Sequence, residues 1–317
     1  MFEHLNFGAR LDVAARSAVG VGPVMRGENQ DNCVLVDAAG KAAFLLDGVA
    51  QTAAVPGWPP GHARLAVLDG MGGHGHGREA AEAVAAGLLA IPACVDVDAL
   101  SAQLERLHGE LQRRFDALGE DAPRPGTTLT LLELPAHGDA LLWHVGDSRL
   151  YEVTATGAAP LTVDHVPATV LATAGLIGED AWWRQVHGRH GPQIAQAFIL
   201  GNTFTDPTQL DDSLFALTPG ILPPWLRALP DRRAVKLHSD ALYLLATDGF
   251  WSCTDPAEFV GRWPRLLAQE GAAGAIAALF SEMETRPPAG LQPDNLTAIA
   301  LRVRSPGRDE TALPQGG

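Results

Sequence analysis

Short apolar runs alternate along this chain with segments whose apolar residues recur at helical spacing. The short runs predict β-strands, because each is a few residues long and polar or turn-forming residues bound it. They cover residues 64–68, 129–134, 140–145, 242–246 and 296–304. In the last run Thr297, Ile299, Leu301 and Val303 occupy alternate positions, which is typical of one face of a strand.

Two segments carry the helical period. Residues 78–90 are rich in Ala and Leu, and residues 97–118 repeat large apolar side chains every three or four positions. That second set comprises Leu100, Leu104, Leu107, Leu111, Phe115 and Leu118. Both segments therefore predict helices with one apolar face.

Residues 167–229 differ from the rest of the chain. They hold Trp182, Trp183 and Trp225 among several Pro and Gly, with weaker periodicity and a helix-like stretch at 179–186. We interpret them as an inserted, flap-like subdomain in which Trp182 and Trp183 pack against their neighbours. Residues 1–304 are otherwise expected to form a single domain. Residues 305–317 are Pro/Gly-rich and polar, and are expected to be a flexible tail.

Composition narrows the classes of partner. The chain has 317 residues and a net charge of −14, from 23 basic and 37 acidic residues. Such a surface repels nucleic acid and anionic lipid, so neither is an expected partner, and most of this charge serves solubility. No apolar run reaches the roughly 18 residues of a membrane span. The N-terminus lacks a basic stretch followed by an apolar one, which makes secretion unexpected.

The three cysteines are Cys33, Cys94 and Cys253, and they are scattered without a CxxC pair. This sparse set favours buried thiols in a reducing compartment over disulfides or a zinc site. A cytoplasmic location is therefore expected.

Five aspartates stand at the boundaries of apolar runs. Asp69, Asp147 and Asp248 follow a run, whereas Asp31 and Asp294 precede one. In an antiparallel sheet the end of one strand lies beside the start of the next, so these carboxylates can converge at one sheet edge. Such a cluster repels itself unless a cation joins it, and oxygen ligands select hard ions such as Mg²⁺ or Mn²⁺.

An Asp-Gly pair after a strand is, taken alone, more often a simple turn. The string AFLLDG at 43–48 echoes LAVLDG at 65–70. Two strands that end in similar turns would account for that echo.

Seven strings in a fixed order carry a resemblance to a known family. They are RGENQD (26–31), LDGMGGH (68–74), GTTLT (126–130), HVGDSRLY (144–151), LTVDH (161–165), LLATDGFW (244–251) and PDNLTAIALRV (293–303). Together they resemble the metal-dependent protein phosphatases of the protein phosphatase 2C type, and GMGGH resembles the bacterial branch. The resemblance extends from about residue 17 to 304.

The resemblance implies an α+β fold: a four-layer αββα sandwich of two antiparallel β-sheets flanked by helices, with the metals at one end. It implies two Mg²⁺ or Mn²⁺ ions, with Asp69 bridging both and the Gly70 carbonyl on one of them. Asp248 and Asp294 would complete the first ion's shell, Asp31 would hold the second through water, and Asp147 would help to hold a weaker third. A water shared by the two ions would attack phosphorus directly, without a covalent phospho-enzyme.

Arg26 matches the arginine that binds the substrate phosphate, which a guanidinium can grip with two hydrogen bonds. Met71 stands where eukaryotic relatives have a histidine proposed as general acid. His74 or His76 is a candidate for that role, metal-bound water is the alternative, and the Gly-rich loop that carries both histidines fits a structural role equally well. Gln30 stands where many members have Glu, and Ser252 where an acidic third-metal ligand is common. The third site is therefore doubtful.

The resemblance implies a bacterial, cytoplasmic hydrolase acting on phosphoserine and phosphothreonine in proteins, the products of a serine/threonine kinase. Gln30, Met71 and Ser252 keep open a catalytically weak or inactive module that binds phosphoproteins. The glycines at 70–75 also fit a dinucleotide-binding GxGxxG, but Asp69 would lie against the pyrophosphate. A zinc hydrolase using His74 and His76 lacks further ligands at a suitable spacing, and a phosphatase with an aspartate nucleophile lacks its DxDxT string.

Overall fold

The computed structural model describes residues 2, 4–22, 24–72, 76–117, 125–188, 193–204 and 211–304. The predicted tail, 305–317, lies outside the described residues. None of the helices in the described ranges combines the length and apolar character that a membrane crossing requires.

The described strands are short and spread over the whole chain. They are β1 (Leu11–Ala18), β2 (Gly20–Val21), β3 (Val24–Met25), β4 (Asn32–Val36), β5 (Lys41–Leu46), β6 (Val49–Ala54), β7 (Ala63–Leu68), β8 (Gly70–Met71), β9 (Gly126–Thr127), β10 (Leu129–Leu134), β11 (Ala140–Val145), β12 (Arg149–Val153), β13 (Ala158–Pro160), β14 (Gln196–Ala197), β15 (Gly201–Asn202), β16 (Arg232–Val235), β17 (Leu242–Ala246) and β18 (Leu296–Val303).

The described helices cluster in three stretches of the chain. They are α1 (His76–Ala90), α2 (Val97–Asp116), α3 (Pro167–Thr173), α4 (Glu179–Val186), α5 (Pro256–Gly261), α6 (Trp263–Leu266) and α7 (Gly271–Thr285). A short 3-10 helix, Asp248–Phe250, follows β17.

Two antiparallel sheets form the centre of the fold. The larger has seven strands in the order β16-β11-β10-β7-β4-β5-β6, and the smaller has five in the order β1-β18-β17-β12-β13. Three two-stranded ribbons, β2-β3, β8-β9 and β14-β15, lie outside them. The strands that pair in these sheets run antiparallel throughout the described ranges.

The two sheets pack face to face, and alternate residues of each strand point to opposite layers. In β4, Cys33 and Leu35 face the five-stranded sheet and belong to a buried cluster with Tyr243 and Ile299. Their neighbour Val34 faces the other way, into a cluster with α1 and α2. Because both faces are covered, β7 and β11 are buried along their whole length, and apart from Arg64 and His144 their residues are apolar.

Helices cover the outer face of each sheet. On the seven-stranded sheet lies α2, which is capped by Asp96: the Asp96 carboxylate accepts a 2.8 Å hydrogen bond from the backbone N–H of Ala99. Its regularly spaced leucines are buried, as the periodicity predicts. On the five-stranded sheet α7 buries Leu279 and Phe280 against Ala298 of β18. The four-layer αββα sandwich is thus the observed architecture.

Residues 167–229 lie between β13 and β16 and contain α3, α4 and the β14-β15 ribbon. This segment has a small core of its own, which includes Trp182, Leu217 and Leu226. Trp182 packs as predicted, and its indole N–H donates to Thr169 Oγ1 at 3.0 Å. Trp183 is 48% exposed and packs on one side, where its ring centroid lies 4.2 Å from that of His187.

The prediction that AFLLDG and LAVLDG end in similar turns is wrong. Asp47 and Gly48 form the two-residue turn of the β5-β6 hairpin, with φ values of 50° and 69° that suit such a turn. After β7, by contrast, Asp69 leads straight into β8 and the backbone stays extended. The two Asp-Gly pairs therefore occupy different local structures.

Candidate metal centre

The strand register of the seven-stranded sheet brings Asp31 and Asp69 together. Asn32 of β4 lies opposite Leu68 of β7, so the residues just beyond this pair, Asp31 and Asp69, are also neighbours. On the other side of Asp69, Thr128 exchanges two bonds with it: the Asp69 N–H donates to Thr128 Oγ1, and the Thr128 N–H donates to the Asp69 carbonyl, both at 2.9 Å.

The five-stranded sheet contributes the other acids at the same end of the sandwich. Arg149 of β12 lies opposite Ala246 of β17, which carries Asp147 towards Asp248 two residues further along. Asp294 stands just before β18, the other neighbour of β17. Asp147 itself lies in the connection from β11 to β12, which passes from one sheet to the other.

These acids surround a cavity of about 340 Å³, which we call the central cavity. Its lining includes Asp69, Asp147, Asp248, Asp294, Gly70 and Arg26. Asp31 lies behind this lining and is only 3% exposed. Six residues from distant parts of the chain, together with Asp31, thus meet at one end of the two sheets.

The carboxylates are costly to ionise together. Burial, with the charges of Asp294 and Asp248, raises the pKa of Asp31 to about 8, although a hydrogen bond from Thr247 opposes the shift. Burial also raises the pKa of Asp69 well above its ordinary value, and the charges of Asp31, Asp248, Asp294 and Asp147 add to that shift. A cation is what removes such a conflict.

Asp294 is partly exposed, with 20% of its side chain accessible. Burial and the charge of Asp248 raise its pKa to about 6, while the Arg26 guanidinium lowers it. Arg26 Nη2 donates to Asp294 Oδ1 at 2.9 Å, and 51% of the arginine side chain remains accessible. Arg26 therefore stands at the mouth of the cavity with donors to spare.

The donor set suits a hard divalent cation. Every candidate ligand is an oxygen atom, which Mg²⁺ and Mn²⁺ prefer. Asp31 Oδ2 accepts a 2.8 Å hydrogen bond from Thr247 Oγ1, whereas its buried Oδ1 has no hydrogen-bond partner among the described residues. A buried carboxylate oxygen without a partner is expensive, and a bound cation would satisfy it.

The acids surround the cavity without converging on one point. Among the residues that the structure describes, no three His, Cys, Asp or Glu side chains are arranged so that they hold a metal ion as they stand. The Gly70 carbonyl and water, which are further ligands for such ions, are not side chains of these types.

Glycines let the backbones around the acids approach closely. A Cβ atom on Gly70 would collide with the carbonyl oxygens of Gly77 and Gln30, and one on Gly249 would collide with the Asn295 carbonyl. The absence of a side chain at Gly70, the glycine after Asp69, therefore allows β8 to lie against the start of α1 and the loop at Gln30. In the same way, Gly249 after Asp248 allows the backbone to lie against the segment before β18.

Several polar residues that hold the acids in place were not found from the sequence. Asn295 accepts the Gln30 N–H at 2.8 Å and donates to the Glu28 carbonyl at 2.9 Å, so it joins the loops that carry Asp31 and Asp294. Thr128 Oγ1 bonds Ser148 Oγ at 2.7 Å. Asn295 follows the predicted ligand Asp294, and Ser148 follows the predicted ligand Asp147. These positions beside the aspartates could have identified the two residues from the sequence.

The residues that depart from the family pattern have defined surroundings. Ser252 is buried, and its hydroxyl donates to Asp248 Oδ2 at 3.4 Å. Gln30 and Met71 line the central cavity. His74 lies outside the described residues, and His76 begins α1 with Nδ1 3.3 Å from Glu79 Oε2. Among the described residues, His76 does not line the central cavity.

No protein-family model matches the chain. No curated protein sequence matches it. Several solved structures, however, superpose on this chain. The Mycobacterium tuberculosis serine/threonine phosphatase PstP/Ppp superposes with a TM-score of 0.60 and 21% identity, covering 93% of this chain and 100% of that one. PppA, a regulatory component of the type VI secretion system in Pseudomonas aeruginosa, gives 0.61 and 21%, covering 93% and 98%.

A second structure, the PstP catalytic domain in complex with two manganese ions, gives a TM-score of 0.60 and 22% identity and covers 93% of this chain and 99% of that one. The chain therefore has the fold of bacterial serine/threonine phosphatases, and the predicted α+β sandwich is confirmed. The resemblance drawn from the seven motifs is confirmed as a likeness of fold.

Proposed function

We propose that this chain is a metal-dependent protein serine/threonine phosphatase. The observation that carries the proposal is the meeting of four aspartates around one cavity, with Asp31 beside Asp69 and an exposed arginine at the cavity mouth. The fold shared with bacterial phosphatases supports it. Phosphorylated serine and threonine residues of proteins, made by a serine/threonine kinase, are the proposed substrates.

Two divalent ions are the proposed cofactors, and the chain's own oxygens would hold them. Asp69 lies centrally, with Asp31 beside it in one sheet and with Asp248 and Asp294 contributed by the other. The Gly70 carbonyl would add a ligand, and Asp147 is the candidate for a third, weaker ion. When bound, the ions would neutralise the carboxylates and supply an activated water for attack on phosphorus. Manganese in the PstP structure supports this choice.

Arg26 is proposed to bind the substrate phosphate. Its guanidinium has five N–H donors in a planar fork, of which one nitrogen is engaged by Asp294. Two phosphate oxygens can accept from that fork in parallel, a match that lysine cannot reproduce. The half-exposed side chain is free to turn from Asp294 towards an incoming phosphoprotein.

The group that protonates the leaving serine or threonine oxygen stays open. His74 lies in a stretch outside the described residues. His76 has 32% of its side chain accessible and lies with Nδ1 3.3 Å from Glu79 Oε2 on α1. We propose His74 as the candidate and His76 as its alternative.

A second candidate function is a phosphatase-like module that binds phosphoproteins with little or no turnover. The observation that favours it is the chemistry around Asp248 and Asp31. Ser252 offers a hydroxyl where an acid would strengthen a further metal site, and Gln30 offers an amide bonded to Glu28. Metal-dependent turnover separates the two candidates.

The test is hydrolysis of p-nitrophenyl phosphate and of a phosphoserine peptide in Mn²⁺, in Mg²⁺ and in chelator. We expect turnover that needs the metal and falls about 100-fold or more in Asp248→Asn, since ligand loss weakens the metal site. Asp240→Asn is the matched control, because Asp240 is exposed at the opposite end of β17. Absence of turnover in wild type would favour the binding module. Full turnover in Asp248→Asn would refute the site.

A further inference from the structure

A buried histidine, His165, lies next to the wall of the central cavity. It stands between β13 and α3 and has no exposed surface. The cavity is lined by Asp147 from one segment of the chain and by Ile194 from another. His165 is hydrogen-bonded to the residue beside each of them, Gly146 and Ala195, so it lies where the two segments meet.

Two hydrogen bonds hold Gly146 to His165. The His165 N–H donates to the Gly146 carbonyl at 2.8 Å, and the Gly146 N–H donates to the ring nitrogen Nδ1 of His165 at 3.2 Å. Gly146 also lies against Thr128, since a Cβ atom on this glycine would be 2.6 Å from Thr128 Cγ2. The residue before Asp147 is therefore fixed by contacts with both Thr128 and His165.

The backbone of His165 is fixed independently of its ring. The His165 carbonyl accepts from the Ala195 N–H at 2.8 Å, which holds the segment that carries Ile194. On the other side, Arg149 Nε and Nη2 donate to the Asp164 carboxylate, at 2.9 Å to Oδ1 and 2.7 Å to Oδ2. A change of the His165 side chain thus removes the ring contacts and leaves these bonds in place.

Asp231 determines which ring nitrogen of His165 carries the proton. Both residues are buried, and they stand just outside the two ends of the inserted segment, 167–229. Asp231 Oδ2 lies 3.2 Å from His165 Nε2 and also accepts the Leu217 N–H at 2.9 Å. A carboxylate accepts hydrogen bonds, so the proton is on Nε2. Nδ1 then keeps its lone pair for the Gly146 N–H.

The Gly146 carbonyl does not compete for a proton on Nδ1. It lies 3.4 Å from Nδ1, but this oxygen already accepts the shorter bond from the His165 N–H. A proton on Nδ1 would also point at the Gly146 N–H, which is itself a donor. Both neighbours of the ring therefore favour the same tautomer.

We propose that His165 is a positioning residue: through Gly146 it holds Asp147 at the central cavity, and Asp231 keeps its ring in the tautomer that can do so. The inference rests on the proposed phosphatase function, in which Asp147 helps to hold the weaker third ion. Residues that orient a metal ligand affect metal affinity without touching the ion. Among the described residues that line the cavity, His165 is absent, so its effect is indirect.

The test uses two substitutions that each keep one side of the ring. The amide oxygen of Asn can replace Nδ1 and accept the Gly146 N–H, whereas the longer Gln reaches Asp231 instead. We expect His165→Gln to raise the Mn²⁺ concentration for half-maximal hydrolysis of p-nitrophenyl phosphate about tenfold. His165→Asn should stay close to wild type. Calorimetric titration with Mn²⁺, which needs no turnover, should show the same weakening in His165→Gln alone.

His62→Gln is the matched control, because His62 is also a buried histidine paired with a carboxylate: its Nε2 lies 2.8 Å from Glu133 Oε1. His62 precedes β7, whereas Asp69 follows the other end of that strand. His62→Gln should therefore lower Tm and leave the Mn²⁺ dependence as in wild type.

A double variant tests whether His165 acts through Asp147. Combining His165→Gln with Asp147→Asn should require no more Mn²⁺ than Asp147→Asn alone, since both changes remove the same ligand from its place. A purely structural effect of the ring would instead add to that of Asp147→Asn.

A measurement on the wild-type protein covers the case in which the ring variants do not fold. Nitrogen NMR of the His165 ring should show a proton on Nε2 and none on Nδ1. A proton on Nδ1 would overturn the proposed role, because the ring could not then accept the Gly146 N–H.

The kinetic outcomes separate the positioning role from the function on which it rests. Indistinguishable Mn²⁺ dependence in His165→Gln and His165→Asn would overturn the positioning role and leave the phosphatase proposal standing. An additive loss in the double variant would overturn it as well. No metal-dependent hydrolysis of any ester by the wild-type protein would overturn the phosphatase proposal itself.

Discussion

Asp31 has a carboxylate that is buried between two sheets and lies close to other acids. Its pKa of about 8 compares with an ordinary value of 3.8, so the folded protein binds this proton more tightly than the unfolded chain. The folded state is therefore penalised as pH rises through this window, from about 4 to about 8, and the penalty levels off above it. A metal ion would relieve the penalty by pairing with the charge.

We predict that Asp31→Asn, which cannot ionise, gains stability relative to wild type as pH rises from 5 to about 8 in chelator. The measurement is Tm by calorimetry at constant ionic strength. Asp240→Asn, on the exposed turn before β17, is the matched control, and its Tm difference from wild type should not follow this trend. A constant difference between Asp31→Asn and wild type across this range would contradict the assigned burial of the charge.

Single glycines distinguish a turn from a site in this chain. Asp47-Gly48, Asp69-Gly70 and Asp248-Gly249 look alike in sequence. Gly48 has a positive φ and open space where a side chain would begin, whereas a side chain on Gly70 or Gly249 would meet backbone atoms. Sequence reasoning identified the candidate acids through their strings, but the crowding that requires these two glycines depends on residues far away in the chain.

Two fully buried arginines fasten helices to the sheets at different places. Arg149 joins β12 to the end of α4 through the Val186 carbonyl, and its guanidinium lies 4.6 Å from the Trp251 ring. Arg64 pairs with Glu133 at 2.6 Å and donates to the Ile91 carbonyl beyond α1, away from the central cavity. Both arginines are buried and paired with a carboxylate, but Arg149 anchors the end of α4 whereas Arg64 anchors the segment that follows α1.

We predict that Arg149→Lys loosens α4, because a lysine cannot bond Asp164 and the Val186 carbonyl together as the planar fork does. Amide hydrogen exchange in α4 should speed up about tenfold, equivalent to about 1.4 kcal/mol of local stability. Arg64→Lys is the matched control: it should lower Tm as well, yet speed exchange near the end of α1. Unchanged protection of α4 in Arg149→Lys would contradict the anchoring role.

Elements differed in how well the sequence predicted them. The buried strands β7, β10, β11, β17 and β18 were predicted from their apolar runs, whereas β12, which also lies inside a sheet, was not. Edge strands were harder: β6 is VAQTAA and mostly exposed, and β1 pairs with one neighbour only. The helix α7 was not predicted. Its Ala and Gly residues pack closely, but they give little periodic alternation between apolar and polar positions.

At the scale of the whole molecule, the proposed ligands come from both sheets. Asp31 and Asp69 stand on the seven-stranded sheet, and Asp248 and Asp294 stand on the five-stranded one. A bound ion would therefore link the two halves of the sandwich. The sequence predicted which acids meet, because their strings are specific; the supporting Thr128 and Asn295 depend on the strand register, which the sequence did not fix.

We predict that Mn²⁺ raises the Tm of the whole domain in a single transition. At a concentration 100 times Kd the gain is about 2.7 kcal/mol, because the ion binds only the folded state. Asp69→Asn should lose most of this gain, whereas the exposed Asp240→Asn should keep it. The measurement is calorimetry with and without the ion. A gain of equal size in Asp69→Asn would mean that the ion binds elsewhere.

The β18 strand lies between β1 and β17, and its pairing with β1 joins the two ends of the described chain along eight consecutive positions. During synthesis the ribosome releases β1 first and β18 some 280 residues later, so β1 must wait for its partner. Asp294 arrives with that last strand. A nascent chain consequently lacks one of the proposed metal ligands at every intermediate length, and the set of acids around the central cavity is complete only when translation has passed β18.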